Sequence, residues 1–402
     1  MERPPAVSQP EIPDLLYGEA ENDLRQAVRA LFAERCRLAD VLARAESGEP
    51  YDPALWHTLA AGLGCAGLLV PEPAGGAGAT YREAAVVAEE TGRSAAPVPY
   101  LGSAVVATTA LLAAAGPEPA AEPDRKLLGS LADGAATAAL AVPFQSAPGG
   151  EPPRSVRVTG PAAGDPGAGE EAAAPARLTG TAAGLADALP ADVLLVPADG
   201  VPYGLYAVNA HADGVTRSAA VSLDSTRMLC DLRLDAVPAR RIAAGDAAAA
   251  ALGAALSAGA AMLAAEQVGL AERCLEMTVG YARERRQFAR PIGSFQAVKH
   301  RLADLYVLVA QARAAARYAA ACLAGRSPDA PVAVAMAKAY CGEVAVKAAE
   351  ECVQLHGGIG FTWEHPAHLY LKRAKSGSIA FGTPDRHRAA LAGLVNLPGM
   401  RA

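Results

Sequence analysis

Apolar side chains recur at steps of three and four from Leu24 to Arg44, from Tyr81 to Thr91 and from Leu101 to Ala115. That spacing puts them on one face of a helix, so the first third of the chain is predicted helical. Thr80 and Glu83 are spaced for a capping box at the start of the second helix. Pro71, Pro73, Gly75, Gly76 and Gly78 mark one loop, and Pro97 to Pro99 another. From about Ala138 the pattern shortens into runs compatible with strands, at Ala138–Val142, Val193–Val196, Leu205–Val208 and Met228–Leu234. Between Ser146 and Ala176 the chain is rich in Pro, Gly, Ala and acidic residues without a packing period, which predicts a solvated loop or poorly ordered insertion. From about Ala247 long helices return. Leu252, Leu256, Gly259, Leu263, Glu266, Leu270, Cys274, Met277 and Tyr281 form one stripe, and Phe295, Val298, Leu302, Leu305 and Val309 a second. A third helix, from Pro331 to His356, ends at Gly357 and Gly358. Stripes this long must bury one another, so the reading is an α+β chain: an N-terminal helical domain over 1–137, a middle β domain over 138–246 and a C-terminal helical bundle over 247–402. The stripe from Leu252 to Tyr281 is expected against that from Phe295 to Val309. No internal repeat is visible.

Composition narrows the class. A chain of 402 residues, 52% hydrophobic and 19% charged, can bury two or three cores and is not disordered in the main. Alanine is so abundant that the larger side chains must carry the periodicity. A net charge of -6 gives no general attraction to phosphate backbones, so no nucleic-acid partner is expected. The start, MERPPAVSQPEIPD, has no basic segment followed by an apolar core, and the uncharged run from Ala247 to Ala265 reads as too weakly apolar to span a bilayer. A cytoplasmic protein without membrane contact is the expectation. The seven cysteines are scattered, with no C-x-x-C pair, and read as small buried residues in a reducing compartment, with no metal site.

Two segments are more specific: Tyr281-Ala-Arg-Glu-Arg-Arg-Gln-Phe-Ala-Arg-Pro-Ile-Gly-Ser-Phe-Gln296 and Gln354-Leu-His-Gly-Gly-Ile-Gly-Phe-Thr-Trp-Glu-His365. At these residues the chain resembles the acyl-CoA dehydrogenase family. The resemblance extends to Gly62-Leu-Gly-Cys-Ala-Gly-Leu-Leu-Val-Pro-Glu-Pro73 and Leu223-Asp-Ser-Thr-Arg227, and so covers nearly the whole chain. It implies an acyl-CoA dehydrogenase-like fold, FAD as cofactor, an acyl-CoA substrate, a homo- or hetero-oligomer and an electron-transfer flavoprotein as electron acceptor. By the resemblance, Arg285, Phe288 and Gln296 reach the adenine and pyrophosphate end of an FAD bound mainly by the neighbouring subunit. Their chemistry agrees: a permanently charged fork for a pyrophosphate, a flat apolar face and an amide able to pair with an adenine edge. Gln354, Gly357 and Gly358 match the family's Q-x-x-G-G, where missing side chains let backbone approach the cofactor, and the resemblance implies cofactor contact also for Thr383 and Asp385 in the Gly-Thr ending.

The chain departs from the family where the chemistry is done. A carboxylate must remove the α-proton while flavin N5 accepts the β-hydride, and burial can raise a glutamate's pKa for that task. In most members it precedes Gly-Thr; here the segment is Ile379-Ala-Phe-Gly-Thr383, with Phe381 in its place. Other members carry it on the first bundle helix, where alignment puts Gly259, and Ala260 stands where a CoA-binding arginine is usual. Glu266 lies on the same stripe about 10 Å further along a helix rising 1.5 Å per residue, a weak base candidate whose simpler role is structural. Glu364, His356, His365, His368 and His387 fall on no position the family uses as base. The family's T-E-P-x-G-S-D loop around the isoalloxazine is replaced by Ala141-Val-Pro-Phe-Gln-Ser-Ala-Pro148, and the aromatic covering the ring aligns with Gly184. Three functions remain open: a dehydrogenase lacking the usual glutamate; a catalytically silent subunit completing the FAD site of an active paralogue, similar to the mixed-subunit enzymes of actinobacterial steroid side-chain degradation; and a fold recruited to another reaction in secondary metabolism.

Overall fold

A computed structural model describes residues 13–47, 49, 51–116, 120–159 and 176–396. The first part contains helices α1 (Glu19–Arg35), α2 (Leu38–Glu46), α3 (Pro53–His57), α4 (Tyr81–Ser94), α5 (Thr108–Ala115) and α6 (Glu122–Ala132). The capping box at the start of α4 is formed, the Glu83 carboxylate accepting from the Thr80 N–H at 2.9 Å. The run from Leu24 to Arg44, by contrast, is two helices. The backbone leaves the helix at Cys36 (φ -128°, ψ 53°), whose side chain is buried at the break. A hydrophobic period that resumes after two residues does not register such a break.

The sheet contains β1 (Ala138–Leu140), β2 (Val156–Thr159), β3 (Ala176–Ala186), β4 (Val193–Ala198), β5 (Gly204–Asn209), β6 (Val215–Ala220) and β7 (Leu229–Ala244). Its order is β1-β4-β5-β7-β3-β2, with β6 also on β7; among the described strand pairs β1 and β4 run parallel and the others antiparallel. The sixteen-residue β7 is the spine that β3, β5 and β6 share. β2 corrects the expectation of an unstructured segment from Ser146 to Ala176: Val156 is buried and pairs with Gly180. Residues 160–175 of that segment lie outside the described residues. β3, with Gly and Ala at most positions, has little strand propensity of its own, and its ladders with β2 and β7 hold it.

The last part contains α7 (Asp246–Glu284), the short hairpin β8 (Arg286–Gln287) and β9 (Arg290–Pro291), then α8 (Gln296–Ala324), α9 (Ala330–His356), α10 (Ala367–Ile379) and α11 (Pro384–Leu394). α7 packs against α8, as its stripe suggested, but more extensively against α9 and α4. Only Leu305 and Val309 of the α8 stripe are buried, whereas Tyr306 and Val307 are exposed. The reason is the density of small residues: from Ala258 to Leu270 every α7 residue is buried, so the helix is enclosed on all sides. By mean hydropathy, 1.8 over an 18-residue window, α7 is also apolar enough to cross a membrane, contrary to the sequence expectation; 67% of that window is buried inside the fold.

Where α4 crosses α7 the backbones touch. A Cβ on Gly269 would lie 1.7 Å from the Glu89 carbonyl oxygen, and one on Gly92 would lie 1.9 Å from that of Glu266. Because backbone cannot yield as a side-chain tip can, Gly269→Ala is expected to destabilise the chain by about 3 kcal/mol. An unchanged urea midpoint for this variant would contradict the contact.

Candidate functional site

Phe381 follows α10 in a left-handed conformation (φ 51°), which is unfavourable for a bulky residue and is held from both sides. Its N–H donates to the Phe144 carbonyl at 2.7 Å, and its own carbonyl accepts from His387 Nε2 at 2.8 Å. The buried ring meets Phe144 edge to face, with centroids 5.3 Å apart. It also rests on the bare backbone of Gly259, where a Cβ would lie 2.6 Å from Phe381 Cζ and 3.0 Å from Val106 Cγ2. Phe381 and Gly259, the two positions where the resemblance leads one to expect a base, therefore form one packed pair. Beside them, bounded by Leu101, Val106, Val142, Phe144, Asp187 and Phe381, a cavity of about 20 Å³ remains. That is space for roughly one water, not for a thioester and its chain.

Lys338, missed in the sequence reading, sits beneath this turn. It is fully buried and donates to the carbonyls of Gly377 (3.0 Å), Ser378 (3.4 Å) and Gly382 (3.4 Å), so its ammonium satisfies the last carbonyls of α10. Burial lowers its pKa to about 8. A lysine inside the Ala-rich run from Ala333 to Ala339 was the only available signal.

Glu266 is buried at the junction of the β domain and the bundle. Its carboxylate accepts from Arg227 at 2.6 Å and from Arg373 Nε at 2.9 Å; Arg373 also donates to Thr226 Oγ1, which donates in turn to Asp224. Burial by itself would raise the carboxyl pKa, but the two guanidiniums, Arg227 foremost, outweigh it and hold the group down at about 2. An acid held that low, with both oxygens engaged, is not tuned to accept a proton near neutrality. Asp187, in contact with the cavity and accepting from the Gly102 N–H at 3.0 Å, is shifted upward by burial despite Arg227.

The isoalloxazine surroundings are closed in the same manner. The Phe144 N–H donates to the Gly184 carbonyl at 2.9 Å and the Phe144 carbonyl accepts from Phe381, so the three segments that the family arranges around the ring are bonded directly to each other. The residues present do not fit a flavin ring at this position.

The residues expected to reach the nucleotide are arranged differently. Arg285, Phe288, Gln296, Gln354, Gly357 and Gly358 are all exposed. Arg285 ends α7, and its carbonyl accepts from Ile292 across the hairpin that leads to Gln296. The hairpin tip is Phe288-Ala289, both at positive φ (52° and 63°), a turn normally made by Asn-Gly; it presents the Phe288 ring 87% exposed. Tyr281, one turn before Arg285, stacks on His356, which brings Gln354 and Gly357 alongside. A guanidinium, two carboxamides and a free aromatic face on one surface fit the pyrophosphate and adenine end of FAD. Thr383 and Asp385 stand apart from this group: Thr383 caps α11 by accepting from the Arg386 N–H, and exposed Asp385 pairs with Arg388.

Comparison with known proteins gives concordant matches. Family models described as acyl-CoA dehydrogenase, N-terminal domain, and acyl-CoA dehydrogenase, C-terminal domain, match residues 18–134 and 248–394. Acyl-CoA dehydrogenase IpdE2 of Mycobacterium tuberculosis is 37% identical over 369 residues, covering 91% of this chain and 94% of that protein. Among solved structures, a single-substitution variant of the Tcur3481-Tcur3483 steroid ACAD matches with a TM-score of 0.79 at 32% identity, covering 95% of this chain and 99% of the other. The ChsE4-ChsE5 complex from Mycobacterium tuberculosis matches with a TM-score of 0.81 at 29% identity, covering 96% and 100%.

Proposed function

Since this chain belongs to the acyl-CoA dehydrogenase family, a family of oxidoreductases, we propose that it is a catalytically silent subunit that completes the FAD site of an active paralogue. The observation that carries this reading is the Phe381 ring packed on Gly259: a side chain that cannot accept a proton fills the space in which substrate and base would meet. The nucleotide-facing surface is exposed by contrast, ready for a neighbour. Two of the similar solved structures carry paired names, Tcur3481-Tcur3483 and ChsE4-ChsE5, and one of them is called a steroid ACAD, which supports a hetero-oligomer acting on a steroid-derived acyl-CoA. An electron-transfer flavoprotein is the proposed electron acceptor.

When bound, FAD supplies a two-electron acceptor for hydride from the β-carbon. The residues of this chain bind and orient: Arg285 neutralises pyrophosphate charge, Phe288 offers a ring to the adenine face, and Gln296 and Gln354 offer carboxamides to its polar edge. Proton removal belongs to the partner's carboxylate.

Arg285→Ala, in this chain co-expressed with a paralogue that retains the glutamate, is expected to weaken FAD retention ten- to a hundredfold, because one charge-assisted contact contributes roughly 1.5–3 kcal/mol. Flavin absorbance of the assembly after dilution measures it. Unchanged retention would overturn the proposal that this surface holds a neighbour's cofactor.

A further inference from the structure

The two nucleotide-facing motifs are about seventy positions apart in sequence, and one imidazole joins them. His356, the last residue of α9, is 4% exposed. One face of its ring stacks on Tyr281 from the last turn of α7, with centroids 4.5 Å apart and planes 27° apart. A second ring, that of His365 from the segment after α9, lies 4.3 Å away at a tilt of 44°. Nδ1 lies 2.6 Å from the Cys352 carbonyl, which can only accept, so Nδ1 carries the proton; the Cys352 thiol is 3.6 Å from the same nitrogen. The turn over 357–361 folds so closely over this residue that a Cβ on Gly360 would lie 3.1 Å from His356 Cβ and 2.6 Å from the Val353 carbonyl oxygen. The imidazole thus touches two rings, makes a hydrogen bond along one edge and has backbone at its root. Removing it takes away the ring contact between the last turn of α7 and the end of α9.

We propose that His356 is a positioning residue: packed against both Tyr281 and His365, it holds Arg285 and the Gln354–Gly358 segment in the register that a flavin nucleotide bound by a neighbouring subunit requires. The inference rests on the reading that this surface contacts that nucleotide. Binding groups must be held to within about half an ångström by side chains that are themselves locked, and Arg285 and Gln354, both exposed, have no such lock of their own. The stack supplies it. His356 reaches neither proton nor hydride in this role; it acts through the residues on either side.

The test uses the assembly of this chain with its active paralogue, reading FAD retention by equilibrium dialysis, the flavin spectrum, and the mass of the assembly. His356→Ala is expected to release FAD about tenfold more readily while the assembly keeps its mass, the effect of losing a stacked pair at a binding edge. His356→Phe, which restores a ring between Tyr281 and His365, is expected to return retention to within about threefold of the parent. Tyr281→Leu should reproduce His356→Ala, and the double variant should be no worse than either single one, as for two parts of one contact. If His356→Ala does not assemble, Tyr281→Leu and His356→Phe decide the matter. Release by Arg285→Ala without release by His356→Ala or Tyr281→Leu would overturn the positioning role and leave the shared cofactor site standing. Failure of the phenyl rescue would also overturn it. Retention unaffected by all the variants, Arg285→Ala included, would overturn the shared site itself.

Discussion

Purified alone and mixed anaerobically with an acyl-CoA, this chain is expected to leave added FAD oxidised. A general base contributes about 10²–10⁴-fold to such a step, and in the proposed reading both places for one are filled by Phe381 and Gly259, which are in mutual contact. The loss should exceed that factor, because the ring also takes the volume of the substrate and Phe144 closes the isoalloxazine position. For the same reason Phe381→Glu should not restore turnover: the new carboxylate would face a cavity of about 20 Å³, with Phe144 still bonded to Gly184. Flavin bleaching by straight-chain, branched and steroid-derived acyl-CoAs, measured on the chain alone and on the co-expressed pair, checks both statements. Rapid bleaching by the chain alone, abolished by Glu266→Gln, would show that it is an active dehydrogenase with a relocated base.

Glu266→Gln should cost stability rather than rate. Removing the anion leaves Arg227 and Arg373 buried against an amide, and breaking a buried pair in this way typically costs about 3–5 kcal/mol. The pH dependence has a definite sign. The folded carboxyl titrates at about 2, below its ordinary value of 4.5, so its contribution is complete above pH 4.5 and is lost as the pH falls from there towards 2. Denaturant unfolding at pH 7 and pH 3 should show the parent losing this contribution on acidification and the variant lacking it at both. Glu276→Gln, which removes the half-exposed partner of Arg93, provides the comparison and should cost less than about 1 kcal/mol. Equal effects from the two variants would contradict the account of the buried junction.

The helices were legible because burying one face imposes a period on the sequence, and α7, α8 and α9 lie where the large apolar residues placed them. The capping box at Thr80 and Glu83 was legible because it is local, closing within four residues. The motifs at Arg285 and Gln354 identified the family, and the resemblance placed Phe381 and Gly259 where an acid is usual. What each face is buried against was not legible, since periodicity reports that a face is covered and not by which element. α7 accordingly lies on α4 and α9 through Gly92 and Gly269, contacts that alanine-rich periodicity cannot single out. β3 exists through its ladders and not through its residues. The closed site was decided in three dimensions only: that Phe381 rests on Gly259 instead of pointing elsewhere, that Lys338 satisfies the turn beneath it, and that Glu266 is held by Arg227 and Arg373, 39 and 107 positions away. Sequence determines which groups are present, and their distances and the dielectric around them, which set whether a carboxylate accepts a proton or ties two domains together, arise only when the chain has packed.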